Sequence, residues 1–167
     1  MRILALDPGM TKAHPMGWAA WDGRLALSGT ACFQQRADDH LGVRLNRLRA
    51  WLETTCATLR PHTIAYEVPT VRGQGKGAIT QLSAIGLVDM AACDCGADVV
   101  CCYPAALKKW ATGHGRASKQ DMVAEARARY GRKPKSDDEA DALLLLAWAR
   151  EEAGATIKES QTVEEGE

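Results

Sequence analysis

The chain has no net charge, no internal repeat, no Cys-x-x-Cys pair and no apolar run near the length of about 20 residues that a membrane-spanning helix needs. These absences narrow the field. A membrane partner is not expected, and the opening MRILALDPGM meets an acid and a proline too early for a secretory signal. A soluble, cytoplasmic protein is the expectation. The six cysteines, at 32, 56, 93, 95, 101 and 102, form a CxC and an adjacent pair, spacing that fits neither a zinc ribbon nor a redox motif. They read as small buried thiols in a reducing compartment.

What is present is ordinary globular composition, with 46% hydrophobic and 25% charged residues, which removes wholesale disorder and disulfide miniproteins. At 167 residues one core is expected. The zero charge hides an asymmetry. Residues 151–167 hold six Glu and one Lys, which leaves 20 basic and 15 acidic side chains, a net of +5, on residues 1–150. A single domain over 1–150 followed by a frayed, disordered acidic tail is expected, and the mildly basic body permits binding to a phosphate backbone.

Hydrophobic periodicity sets the order of elements. Residues 2–6 form an apolar run that ends at Asp7-Pro8-Gly9, a buried strand stopped by a turn. Runs at 16–22 and 25–33 flank Asp22-Gly23-Arg24, a hairpin signal. From Asp38 the period becomes helical, with Leu41, Leu45, Leu48, Leu52 and Leu59 on one face and Arg44, Arg47 and Arg49 off it. Residues 63–66 make another strand that delivers Glu67 before Val68-Pro69. A basic, glycine-rich loop over 70–77, with Arg72 and Lys76, leads to a helix over 78–93 and a strand over 98–103. Pro104 opens a helix ended by Gly113, and Ser118 and Ser136 are N-cap candidates for two more. The order β-β-β-α-β-α-β-α-α-α predicts an α/β layer fold, a mixed sheet with helices packed on it.

Four acids stand out by placement. Asp7 and Glu67 end strands, and Asp138 and Asp141 lie three apart on one helix face. Each alone has an ordinary explanation: Asp-Pro-Gly is usually a turn, an acid after a strand is usually solvated, and acids at 137–139 suit a helix N-terminus. Asp141 resists such an explanation, because an acid directly before an apolar stretch needs a partner or a metal. If all four converge, their repulsion calls for divalent cations with hard oxygen ligands, most simply Mg²⁺. Lys108, Lys109, Arg116 and Lys119 flank Gly113-His114-Gly115, a turn able to approach DNA, although a solvated basic face would look similar. Arg127, Arg129, Arg132, Lys133 and Lys135 are weaker candidates.

The segments ILALDPG at 3–9, AYEVP at 65–69, YPAALKKWATGHGRASKQDM at 103–122 and DDEADALLLLAWA at 137–149 resemble, in order and spacing, the RuvC family of Holliday junction resolvases. The resemblance implies a ribonuclease H-like mixed five-stranded sheet, three strands antiparallel and two parallel, flanked by helices. It also implies a homodimer that nicks opposing strands of four-way DNA junctions and leaves 5′-phosphate and 3′-hydroxyl ends. Asp7, Glu67, Asp138 and Asp141 match the family's metal-binding acids, for two Mg²⁺ with Mn²⁺ as a substitute, and Lys119 its basic residue near the active site. Arg72, Lys76, Lys108, Lys109, Arg116 and Lys119 are the expected DNA contacts. For the dimer, the helix over 78–93 offers small residues at Ala84, Gly86 and Ala91.

One departure concerns the loop after Glu67, where better-studied bacterial members carry an aromatic wedge and this chain has Val71-Arg72-Gly73. The short length and divergent loop resemble phage resolvases that accept other branched DNAs. A ribonuclease H-like nuclease of broader branched-DNA or flap specificity is therefore the nearest alternative. An actin-like ATPase would need a second lobe, and a non-catalytic junction-binding module would not need four acids. Whether a branch-migration motor acts alongside is left open by the sequence.

Overall fold

The structure, a computed structural model, describes residues 1–70 and 75–164, and side chains of the last helix as far as Gly154. Its elements are β1 (Ile3–Asp7), β2 (Met16–Trp21), β3 (Ala26–Ala31), α1 (Leu41–Leu59), β4 (Thr63–Glu67), α2 (Lys76–Cys95), β5 (Asp98–Cys102), α3 (Pro104–Thr112), α4 (Lys119–Tyr130) and α5 (Asp137–Glu164). The sheet order is β3-β2-β1-β4-β5. β1, β2 and β3 pair antiparallel, and β4 runs parallel to β1 and to β5. The expected mixed five-stranded sheet is found.

β1 occupies the centre because Ile3, Leu4, Ala5 and Leu6 are apolar on both sides of the pleat. Ile3 and Ala5 face a core shared with Leu107, Met122 and the run Leu143, Leu144, Leu145 and Leu146 of α3, α4 and α5. Leu4 and Leu6 face the opposite core with Leu48 and Leu52 of α1 and Val88 of α2. The sheet is thus sandwiched between two helical layers. Parity then fixes the acids. Asp7 lies two residues after Ala5, and Glu67 two after Ala65, so both point to the α5 side at the strand ends.

Local signals work as the residues suggest. Asp22 accepts from the N–H of Arg24 and Leu25 (2.7 and 2.8 Å) to close the hairpin, with Gly23 at φ 106°. Ser118 and Asp121 form a reciprocal capping box on α4, and Ser136 accepts from the Glu139 N–H at 3.0 Å at the start of α5.

Three expectations change. α5 continues to Glu164, where the charge pattern suggested a frayed tail after residue 150. At the start of this stretch Glu151 accepts from Trp110 Nε1 (3.0 Å) and pairs with Arg129 (3.7 Å). Only Cys56 and Cys102 of the six cysteines are buried; Cys95 is half-buried, and Cys32, Cys93 and Cys101 are exposed. Finally, α2 is long and apolar enough to cross a membrane by length and composition, with a mean hydropathy of 1.2. Its many small apolar residues reach that mean without an unbroken run. It buries one stripe, Thr80, Ala84, Val88 and Ala92, against the body.

Candidate active site

Register brings the strand acids side by side. Leu6 pairs with Tyr66 across β1 and β4, and one step further puts Asp7 beside Glu67. Glu67 in turn pairs with Cys102 at the end of β5, which delivers Pro104 and the first turns of α3 to the same rim. Across from them, α5 rests its first turn on β2 at Gly17. A Cβ there would stand 2.0 Å from the Asp138 carbonyl oxygen, so only glycine lets the helix come this close. Asp7, Glu67 and Asp141 therefore line one cavity of about 220 Å³, together with Gln81, Lys108 and Lys119.

The carboxylates carry the signs of enforced proximity. Burial, then Glu67, Asp141, Asp138 and Asp137, push the Asp7 carboxyl well above its ordinary value. Burial and Asp141 raise Glu67 to about 7 against the pull of Lys108. Asp141 rises to about 6, chiefly through burial, with Lys108 opposing and Asp137 and Asp138 reinforcing. Asp141 Oδ1 is buried and has no hydrogen-bond partner. A buried carboxylate oxygen without a partner is free to serve as a ligand, and an all-oxygen donor set suits a hard divalent cation. Among the described residues, no three acid, histidine or cysteine side chains close around a single point. The fit thus rests on the oxygen donors and the orphaned Oδ1.

Asp138 stands apart from the other three. It is not part of the cavity wall, although it adds to the field that raises Asp7 and Asp141. Burial and Asp137 raise its own carboxyl against the pull of Lys119 and His14. Lys119 sits at the cavity rim in an ion pair with Asp137, a contact that raises the lysine and lowers the acid. Lys108 is half-buried in the wall, whereas Lys109, Arg116 and Lys76 are exposed. Arg72 lies outside the described residues.

Sequence reasoning missed three features. Lys108 belongs to the carboxylate cavity more than to an outer DNA arm, which its place next to buried Leu107 in α3 could have signalled. Asp137, set aside as a helix-end acid, holds Lys119. Glu139 is 1% exposed and accepts from Ser28 (2.5 Å), Arg132 (3.1 Å) and the Lys135 N–H (2.7 Å), so it ties β3 and the preceding connector to the start of α5. Burial alone would raise its carboxyl, yet these donors hold it below the ordinary value. Arg129 and Arg132 are consumed structurally, Arg129 by Glu125 (2.6 Å) and the Trp110 ring (4.2 Å).

A family model described as "Crossover junction endodeoxyribonuclease RuvC" matches residues 3–148. The chain belongs to the RuvC family. Relatives of that name include one from Desulfitobacterium hafniense, 34% identical over 148 residues with 87% of this chain and 89% of that one covered. Another, from Streptomyces avermitilis, is 32% identical over 155 residues, covering 87% and 84%. Thermus thermophilus RuvC in complex with a Holliday junction substrate has the same fold, at TM-score 0.72 and 25% identity over 87% of this chain and 90% of that one. A yeast mitochondrial Holliday junction resolvase shares the fold at TM-score 0.59 and 13% identity, over 86% and 75% of the two chains. The RuvC match spans every element that builds the cavity.

Proposed function

We propose that this RuvC-family chain is a metal-dependent endodeoxyribonuclease that resolves four-way DNA junctions by paired nicks on opposing strands. The observation that carries this reading is the cavity at the ends of β1 and β4, where Asp7, Glu67 and Asp141 converge and Asp141 Oδ1 lacks a partner. Asp7, Glu67 and Asp141, with Asp138 beside them, would hold two Mg²⁺, or Mn²⁺ in their place. Ions so held supply a water nucleophile at neutral pH and countercharge for the leaving oxygen. Lys108 and Lys119 place positive charge where the phosphate gains negative charge, Lys119 being fixed by Asp137. Water attack with loss of the 3′ oxygen leaves a 5′-phosphate and a 3′-hydroxyl.

Opposed nicks need two such sites. α2 leaves Ile79, Leu82 and Met90 more than half exposed, with Gly86 open between them, and a second copy of α2 would cover this stripe. Ala84, expected at that face, is instead buried against the body. Lys76, Lys109 and Arg116 are free of ion pairs with described residues and suit DNA phosphates, as does Arg72 by sequence. The nuclease unit is residues 1–150, and a cytoplasmic enzyme acting on chromosomal or phage DNA fits the family.

The test is a substrate panel with Mg²⁺: four-way junction, flap, RNA–DNA hybrid and plain duplex. Symmetric nicks confined to the junction are expected, with Asp141→Asn abolishing cutting while a gel shift still shows junction binding. Comparable cutting of flap or hybrid would replace this reading with a broader ribonuclease H-like nuclease.

A further inference from the structure

Beside the carboxylate cavity lies a second one of about 390 Å³, and the two share Pro8 and Gln81 as a common wall. Its charge is opposite. Arg44, Lys76 and His14 line it, and no carboxylate does. None of the three forms an ion pair with a described residue.

Each of the three side chains reaches this place for a local reason. His14 is carried by the loop after β1, closed by Thr11 N–H to the His14 carbonyl (3.0 Å) and His14 N–H to Thr11 Oγ1 (3.1 Å). That loop folds directly over Gly9, where a Cβ would meet the Pro15 and His14 carbonyl oxygens at 2.2 and 2.4 Å. Lys76 opens α2, whose N-cap Gly75 supplies no side-chain acceptor and whose first turn holds no acid, so the helix end adds positive potential. Arg44, expected off the leucine face of α1, is half-buried. Its Nε is buried without a partner, and its hydrogen bond from Nη1 to the Met10 carbonyl is long, at 3.5 Å. A buried guanidinium N–H without an acceptor is costly unless an anion uses it.

We infer that this cavity is a second phosphate site, which takes a non-scissile phosphodiester of the strand being cut and so sets that strand in register over Asp7, Glu67 and Asp141. The site rests on the nuclease reading. Its position fits the task, because a strand laid along the strand-end rim passes from one cavity to the other across Pro8 and Gln81. The arrangement separates duties. One cavity repels phosphate until cations fill it, and its neighbour attracts phosphate without them. DNA can then be held in register before metal is bound.

The test uses the full-length protein and four-way junctions that carry a single neutral methylphosphonate at each phosphate within two nucleotides of the scissile one, read by binding and by single-turnover cutting. The unmodified junction cut by the unaltered protein checks the nuclease reading on its own. At one flanking position the neutral substitution should weaken binding of the unaltered protein about tenfold. Arg44→Met should show the same loss on the unmodified junction, and no further loss when that one position is neutral. Lys76→Met, on an exposed first turn that does not threaten folding, should show the same non-additivity and carries the test if Arg44→Met does not melt cooperatively. A lost register would also spread the cut over neighbouring phosphates. Losses that multiply at every position, or a Lys76→Met protein that binds and cuts as the unaltered one does, would overturn the phosphate site while leaving the nuclease intact.

Discussion

Lys108, Lys109 and Lys119 look interchangeable in sequence, and the structure gives them three different surroundings. Lys109 points to solvent, Lys108 lines the cavity with Glu67 and Asp141, and Lys119 is held at the rim by Asp137. Lys109→Ala should therefore weaken junction binding and lower the salt slope by about one, with cutting at saturating protein intact. Lys108→Ala and Lys119→Ala should instead lose saturated single-turnover rate, on the order of tenfold to a hundredfold, because they face charge that develops in the transition state. A Lys108→Ala protein that binds weakly but cuts at the full saturated rate would return Lys108 to the outer contacts. The acids make a prediction of their own. Folding raises Glu67 from 4.5 to about 7 and Asp141 from 3.8 to about 6, so the native state holds protons that the unfolded chain has released. Such groups stabilise the fold below their unfolded values, and the benefit is lost as pH rises through about 6 to 7. In chelator, calorimetry should show the melting temperature falling between about pH 4 and 7, by roughly 2–4 °C per kcal/mol of repulsion. Mg²⁺ should reverse the fall, because it binds the native carboxylates only, and Glu67→Gln should flatten it. A profile in chelator that rises over this range would mean that the carboxylates do not crowd one another.

At the scale of elements, the seat of α5 on β2 decides whether the helix acids meet the strand acids. Gly17→Ala would drive a Cβ into the Asp138 carbonyl and force the first turn of α5 outward. The expected result is a stability loss of about 1–3 kcal/mol in urea, typical of overpacking, and cutting reduced more than binding, since Asp138 and Asp141 shift together. Normal stability with normal cutting would show that α5 does not sit on β2 in this way. The sequence made the elements legible because β1 is apolar on both faces, and because turns and caps at Asp22-Gly23, Ser118 and Ser136 are local chemistry. It made the strand acids legible through parity. What it hid is tertiary. Whether Arg132 meets DNA or Glu139 depends on β3 bringing Ser28 alongside, and whether Asp137 is a cap or an anchor for Lys119 depends on where α4 begins relative to α5. Helical phase puts Arg44 off the leucine face for the same reason, since phase alone cannot see the Met10 carbonyl within reach of its Nη1.

Over the whole molecule, the far side of α2 carries three of the exposed large apolar side chains among the described residues. The body covers a single stripe of α2, while Ile79, Leu82 and Met90 are 54%, 56% and 61% exposed on the far side. Three large apolar side chains on one helix, at spacings of three and eight residues, make a continuous stripe that a second α2 can bury across a two-fold axis. The same axis would set two carboxylate cavities facing opposite strands of a junction, which a monomer cannot do. The chain should sediment at twice its 18.1 kDa. Met90→Glu leaves the core untouched, because Met90 is 61% exposed and belongs to neither core cluster, yet it places a charge at one end of the paired stripes. This variant should remain folded by circular dichroism, shift to monomer at micromolar concentration and lose coordinated nicking, leaving single nicks at a rate reduced tenfold or more. Sedimentation of the unaltered chain as a monomer, with and without junction, would remove the dimer and with it the pairing of cuts. If the dimer instead persists in Met90→Glu, the two-fold axis lies on another face, and the exposed stripe of α2 has a different partner.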